Sequence, residues 1–330
     1  PSRQCSIAAG VPKDLPSFTV NKVCGSGMKA IELGWQSILL ERNTTVLAGG
    51  TENMTQAPYL LPSMRAGARM GDAKAVDSMV FDGLTDIFNR YHMGITAENV
   101  AEKYKLTRDE QDDFAYQSQQ KAAKAIKDGM FKDEITTIVI KGKKGDVTVD
   151  TDEHPRPETT REKMGALRPA FKPDGTVTAA NPSGINDGAS SLLLVPEDAV
   201  PAGIDASNAV YLRDVRSSGC DPATMGLGPI GATRKLLKHN NLTVSDIGLW
   251  ELNEAFASQS LAVVRDLKID PAIVNVNGGA IALGHPIGCS GARSVTTLID
   301  EMKRRGVRYG VAAMCIGGGQ GIGCLIENKN

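Results

Sequence analysis

Two stretches of the chain repeat one order of apolar runs and glycine breaks. In the first, residues 18–23 are short and β-rich, Cys24-Gly25-Ser26-Gly27 interrupts them, and Met28, Ile31, Trp35, Ile38 and Leu39 then recur at helical spacing as far as Glu41. Residues 44–48 predict a second strand, closed by Gly49-Gly50. That order is strand, tight turn, helix, strand, which predicts a βαβ unit with parallel strands. In the second stretch, residues 273–277 predict a strand broken by Gly278-Gly279, a helix follows over about 290–305, and residues 309–315 predict a strand closed by Gly317-Gly318-Gly319. Ser26-Gly27 lines up with Ser290-Gly291, and the shared helix start and glycine cluster predict an internal duplication.

Between the halves, residues 52–185 follow no such order. Residues 59–70 are rich in Met, Pro and Arg. A helix is predicted over about 108–128, with Thr107 and Glu110 as a capping box and Gly129 as its stop. Residues 141–151 are polar and hairpin-like, 154–157 are a loop, and 190–196 predict a buried strand returning to the first half. The expected organisation is an N-terminal half over 1–51, completed by about 186–200, an inserted loop domain over 52–185, and a C-terminal half over 201–330.

Composition narrows the class. With 37 basic and 38 acidic side chains in 330 residues, the net charge of −1 gives no electrostatic footing for nucleic acid or for a membrane surface. Hydrophobic residues at 41% supply a sizeable core, and no apolar run approaches the ~18 residues of a membrane span. Six cysteines are too few for a disulfide scaffold and read as reduced thiols of a reducing compartment, the cytoplasm. Residues 2–10 lack the regions of a signal peptide, so the chain reads as beginning inside a fold.

Three residues stand out for chemistry. Cys24 ends a predicted strand where a helix begins, so the positive end of the helix dipole and free N–H groups face its thiol. Gly25 and Gly27 after it leave room for a substrate; the alternative is a buried structural cysteine. His285, one of four histidines, lies in the glycine-rich run 277–288 before a helix, where a neutral imidazole can take a thiol proton or donate to an oxyanion, or simply bond within its loop. Cys315 ends the last predicted strand of its unit. Two thiols and an imidazole at one point suit one covalent intermediate and one separate proton transfer. Asn253 either caps the helix after the strand 248–252 or holds a water against a substrate oxygen. No Gly-x-Ser-x-Gly, His-Glu-x-x-His, Walker loop or zinc spacing occurs, and the final glycine run is out of register for a dinucleotide fingerprint.

Val23-Cys24-Gly25-Ser26-Gly27, Asn253-Glu254-Ala255-Phe256, Gly284-His285-Pro286-Ile287-Gly288 and Cys315-Ile316-Gly317-Gly318-Gly319 together resemble the thiolase family in order and spacing. The likeness runs along the whole chain and is nearest the acetoacetyl-CoA-forming branch. It implies an α/β fold of duplicated halves in α/β/α/β/α layers with an inserted loop domain. It implies condensation of two acetyl-CoA, and the reverse thiolysis, with Cys24 as acylated nucleophile. His285 would activate Cys24 and, with a water held by Asn253, stabilise the thioester oxyanion. Cys315 would be the acid/base for the α-proton, and the N–H groups of Cys24 and Gly317 a second oxyanion hole. His92 and Ser183 would face the pantetheine arm, Arg156 the adenine end of CoA, and Met93 and Phe256 the acyl pocket. The family's long-chain members tend to carry proline where His92 stands, which favours short acyl chains. The expected partners are acetyl-CoA, acetoacetyl-CoA and CoA, with no metal or redox cofactor, in a homotetramer assembled through residues 59–69. The resemblance departs in two places: the family's opening strands have no counterpart before residue 10, and Pro182 replaces a commonly small residue. A non-catalytic acyl-CoA or lipid-binding relative, an inactive fragment, and a degradative 3-ketoacyl-CoA thiolase are the alternatives.

Overall fold

The computed structural model describes residues 1–204, 206 and 209–329. Helix α1 (Ser2–Ala8) precedes an exposed segment, and α2 (Ser26–Leu39) leads into β1 (Val46–Glu52). Four two-residue strands follow, β2 (Tyr59–Leu60), β3 (Val76–Asp77), β4 (Thr85–Asp86) and β5 (Tyr91–His92). Then come α3 (Met93–Tyr104), α4 (Arg108–Lys127), the hairpin β6 (Ile138–Ile140) and β7 (Val147–Val149), and α5 (Arg161–Gly165). The remainder comprises β8 (Gly188–Leu194), β9 (Tyr211–Gly219), α6 (Gly228–His239), β10 (Leu249–Leu252), α7 (Ala257–Leu267), α8 (Ala280–Leu283), α9 (Ile287–Arg305), β11 (Tyr309–Ile316) and β12 (Gln320–Glu327). Among the described residues no helix is long and apolar enough to cross a membrane.

Strand β1 pairs antiparallel with β8, while the second sheet has the order β10-β11-β12-β9, with β10 parallel to β11 and the other pairs antiparallel. Helices α2 and α9 lie between the two sheets, and their shared core holds Met28, Ile31, Val295, Leu298, Met314 and Ile322. A second core on the far face of the larger sheet joins α6 and α7 through Leu236, Trp250, Val263 and Leu325. The outer face of β1–β8 leaves Leu47 and Leu193 exposed. Helices α3 and α4 pack on α7 and α8, which places the middle region over the second half.

The duplication has a direct physical mark. A Cβ on Gly27 would lie 2.7 Å from the Ala292 nitrogen, and one on Gly291 would overlap the Met28 nitrogen. The two helix starts therefore cross backbone to backbone, reciprocally, and only glycine permits it.

Several elements differ from expectation. Residues 18–23 form no strand: Asn21 Oδ1 accepts from Val23 N at 2.9 Å, and Val23 turns the chain with φ of 48°. Their β-propensity finds no neighbouring strand to pair with. The first unit is thus not parallel βαβ, since β1 pairs antiparallel with β8. Residues 273–277 are likewise no strand. Pro271 opens a 3₁₀ turn, Asn275 has φ of 43°, and a single bridge joins Val274 to Trp250, so the parallel partner of β11 is β10. Strand β8 is half-buried in alternation rather than buried, because helices cover one face only. The helix over 108–127, its Thr107–Glu110 capping box and the hairpin near 141–151 form as the sequence predicts.

Candidate active site

Cys24 sits in the turn that starts α2. Ser26 Oγ accepts from Lys22 N at 2.8 Å and donates to the Val23 carbonyl at 2.7 Å, which fixes the turn. Gly25 is required there, because a Cβ would come within 2.5 Å of Ile316 Cδ1. The turn therefore rests on the residue that follows Cys315. Cys24 is buried and shares a small apolar cluster with Met54 and Ile287.

Cys315 lies near the end of β11, fully buried among Met93, Ala97, Val177, Met225, Ala255 and Phe256. Beyond it the chain folds back towards Cys24. Gly317 N–H hydrogen-bonds the Cys24 sulfur, and a Cβ on Gly317 would overlap the Met93 methyl.

The electrostatics correct one expectation. The helix start does not produce a thiolate at Cys24. Burial pushes its pKa up to about 11; the N–H groups of Gly317 and of Cys24 itself pull it down by less, and the Glu52 charge adds to the rise. Burial also lifts Cys315 well above an ordinary thiol, and the charges of Cys24 and then Cys220 add to this. The two sulfurs are close enough to feel each other.

His285 is buried, in a loop entered through Gly284 at φ of 97°. Its Nδ1 is 2.6 Å from Ser290 Oγ, which lies 3.0 Å from the Pro286 carbonyl. Ser290 spends its one proton on that carbonyl, so His285 Nδ1 carries the hydrogen and Nε2 keeps a free lone pair. Burial, followed by the Arg293 charge, lowers its pKa to about 4, which leaves the ring neutral. Nε2 faces Asn253 Nδ2 at 3.5 Å. Asn253 does not cap α7, where Phe256 holds the N-cap position without a side-chain bond. Its Oδ1 is buried and has no protein partner among the described residues.

The remaining predicted residues divide. Met93 and Phe256 join the Cys315 cluster. Ser183 is beside it, with N and Oγ donating to the Ala255 carbonyl at 3.0 and 3.2 Å, while Pro182 bridges Phe256. His92 caps α3, accepting from Gly94 N at 3.0 Å, and stacks on Phe171 at 4.6 Å; burial lowers its pKa. Arg156 lies outside that cluster, exposed, with its N–H donating to Gln119 Oε1 at 2.9 Å.

Sequence reading missed three supports. Ser290, noted only as a duplication mark, sets the His285 tautomer. Phe171 fills the space beside His92, with no local motif to announce it. Glu254 is buried next to Asn253; its place inside the segment Asn253-Glu254-Ala255-Phe256 was the available signal. Among the described residues no group of three or more His, Cys, Asp or Glu side chains could hold a metal ion.

Comparisons with known proteins bear on this geometry. Residues 1–198 match the family model "Thiolase, N-terminal domain" and residues 206–328 match "Thiolase, C-terminal domain". The chain is 54% identical over 333 residues to the acetyl-CoA acetyltransferase of Syntrophomonas wolfei, covering 99% of this chain and 83% of that one. The crystal structure of human mitochondrial 3-ketoacyl-CoA thiolase is similar with a TM-score of 0.94 at 45% identity, covering 99% and 83% of the two chains. The same human protein in complex with CoA gives 0.93 at 44% identity, covering 99% and 82%.

Proposed function

This chain belongs to the thiolase family, and from that membership we propose that it is an acetyl-CoA acetyltransferase, joining two acetyl-CoA into acetoacetyl-CoA and CoA and catalysing the reverse thiolysis. One observation carries the mechanism: the backbone N–H groups of Cys24 and Gly317 converge on one buried thiol that lies in the field of a second, Cys315.

In this reading Cys24 takes the acetyl group. A thiol held near pKa 11 needs a base at the moment of attack, and the neutral His285 with its free Nε2 is suited to that task. His285 then faces the thioester oxyanion with a water held by Asn253, whose Oδ1 is otherwise unsatisfied. Cys315 gives its proton to the departing CoA sulfur and, so ionised, removes the α-proton of the second acetyl-CoA. The resulting carbanion attacks the acetyl carbonyl, and Cys24 leaves as a thiolate that recovers its proton from His285. The high pKa that burial imposes on Cys315 makes it a strong base once ionised, matched to a weak carbon acid. The charge that develops on the acetyl-enzyme oxygen meets the Cys24 and Gly317 N–H pair, each such donor being worth about 3–4 kcal/mol of barrier. No step calls for a metal or redox cofactor.

Residues 52–185 serve as the inserted loop domain that binds CoA. Within it His92 and Ser183 face the pantetheine arm, Arg156 the adenine end and Met93 the acyl group, which Phe256 of the C-terminal half also bounds. The stacked His92–Phe171 pair fills space that a long acyl chain would need. The exposed Tyr59, Leu60, Leu61 and Met64 support assembly into a tetramer through residues 59–69. Six unpaired thiols suit a reducing compartment, which we take to be the cytoplasm.

The likeness to a 3-ketoacyl-CoA thiolase keeps a degradative role as the second reading. Thiolysis of acetoacetyl-CoA by CoA, run beside longer 3-ketoacyl-CoAs, separates the two. We expect the four-carbon substrate to be favoured at least about tenfold in kcat/KM; a preference for long chains overturns the short-chain assignment.

A further inference from the structure

The carboxyl of Glu254 is 2% exposed and lies where the end of β10 meets the loop leading to His285. Each hydrogen-bond partner of its oxygens among the described residues is a donor. Ser118 Oγ donates to Oε2 at 2.6 Å, Ile281 N to Oε2 at 3.1 Å, and Asn275 Nδ2 to Oε1 at 2.7 Å. An acceptor-only group answers three donors, so the geometry calls for the carboxylate rather than the acid.

Around this carboxylate the chain is stapled from both sides. Asn275 acts as a strand partner for Leu252, accepting from its N–H and donating to its carbonyl, both at 2.8 Å. Ser118 also accepts from Gly279 N at 3.1 Å, and a Cβ on Gly279 would overlap the carboxyl itself. From the same face of α4, Lys121 Nζ donates to the Val274 carbonyl at 2.9 Å and Gln119 Nε2 to the Ile281 carbonyl at 3.2 Å. Burial pushes the Glu254 pKa up, and the Ser118, Asn275 and Ile281 donors and then the Lys121 charge from α4 pull it down. Glu251 on β10, itself raised to about 8 by burial, is the other titratable group facing it. Asn253 sits just past the end of β10, and His285 lies four residues beyond Ile281, after α8, their side chains 3.5 Å apart.

We propose that Glu254 is a positioning residue: its ionised carboxylate locks the loop 275–281 onto the end of β10 and thereby sets the distance between Asn253 and His285 without touching substrate. This rests on the reading of His285 as the base for Cys24. A neutral amide in its place presents a donor to one of three donors, so the loop must shift, and a shift of a fraction of an ångström at His285 is enough to slow the reaction.

The test uses Glu254→Gln and Ser118→Ala in the full chain, with Ser118→Ala removing one donor and leaving the charge. Three quantities are measured: kcat and KM for acetyl-CoA, the pH dependence of iodoacetamide alkylation of the Cys24 peptide, and the melting temperature. Glu254→Gln should lower kcat by about tenfold or more while KM changes by less than about twofold, with the Cys24 alkylation profile displaced along the pH axis. Ser118→Ala should show the same pattern at about threefold. Unchanged kcat and alkylation profile in a folded Glu254→Gln protein overturns the proposal. So does lost activity that tracks a lowered melting temperature with the alkylation profile intact, since that is a structural role. If Glu254→Gln does not fold, Ser118→Ala decides by the same two readouts. Alkylation needs no substrate, so a wild-type protein that fails to turn over acetyl-CoA refutes the functional reading while the alkylation comparison still judges Glu254.

Discussion

The two halves present matching helix starts to each other and fill them with different residues. At the start of α2 the sequence places Cys24, whereas at the start of α9 it places His285 just outside the helix and Ser290 in its first turn. The strands differ as well. Strand β11 ends at Cys315 and Ile316, inside a sheet whose β11 and β12 are buried along nearly their whole length. Strand β1 ends at Glu52, whose Oε2 accepts from Gly288 N at 3.0 Å and so satisfies the start of α9. The repeated helix starts and strand ends meet in one place, and the two copies fill those equivalent positions with different residues.

The division between the two sulfurs gives the largest expected effects. Cys24→Ala should abolish acetylation detected by mass spectrometry after acetyl-CoA and lower turnover by about 10⁴-fold or more. Cys315→Ala should keep that acetylation and lose condensation by about 10³-fold, the size of a missing acid/base. Equal loss of both steps in the two variants would erase the distinction.

The crossing of the helix starts is tested next. Alanine normally stabilises a helix interior over glycine by up to ~1 kcal/mol. At Gly27 and Gly291 the added methyl meets backbone that cannot rotate away, so overpacking should win. We expect Gly27→Ala and Gly291→Ala each to cost about 2–3 kcal/mol in denaturant unfolding. A tolerated methyl at either position would show that the contact is not reciprocal.

The smallest effect is a displaced pH limb. His285 falls from an ordinary 6.5 to about 4 in the fold. The fold favours the neutral ring, so its contribution to stability is present above 6.5 and is lost as pH falls through 4. With Cys24 held near 11, the neutral pair persists across the intervening range, and kcat/KM should be flat down to roughly pH 5. An acidic limb centred on 6.5 would mean that His285 is more hydrated than its burial implies.

Much of the site was legible in the residues. Glycines at 25, 27, 284 and 317, next to Cys24 and His285 or just after Cys315, marked close backbone approaches, and each has a neighbour that a Cβ would strike. The apolar spacing of α2, the capping box and glycine stop of α4 and the repeated order that placed α9 marked these helices, because a helix closes its hydrogen bonds locally. Strands at 18–23 and 273–277 were misread because β-propensity records only willingness to pair, while a partner arrives from elsewhere in the chain. The protonation of the site was equally hidden. A helix start argues for a lowered thiol pKa at Cys24, but burial is set by Met54, Ile287 and the returning Gly317, and desolvation outweighs the dipole.

The amino-acid sequence alone therefore determined most helices, the repeated helix starts and which side chains are candidates for chemistry, since these depend on spacing and side-chain type. Tertiary structure alone decided that β1 runs against β8, that Ser290 fixes the His285 tautomer, that Glu254 is encircled by donors, and that both thiols are protonated at rest. Pairing, tautomer and charge all depend on which distant groups replace water, and no short stretch of chain contains that information.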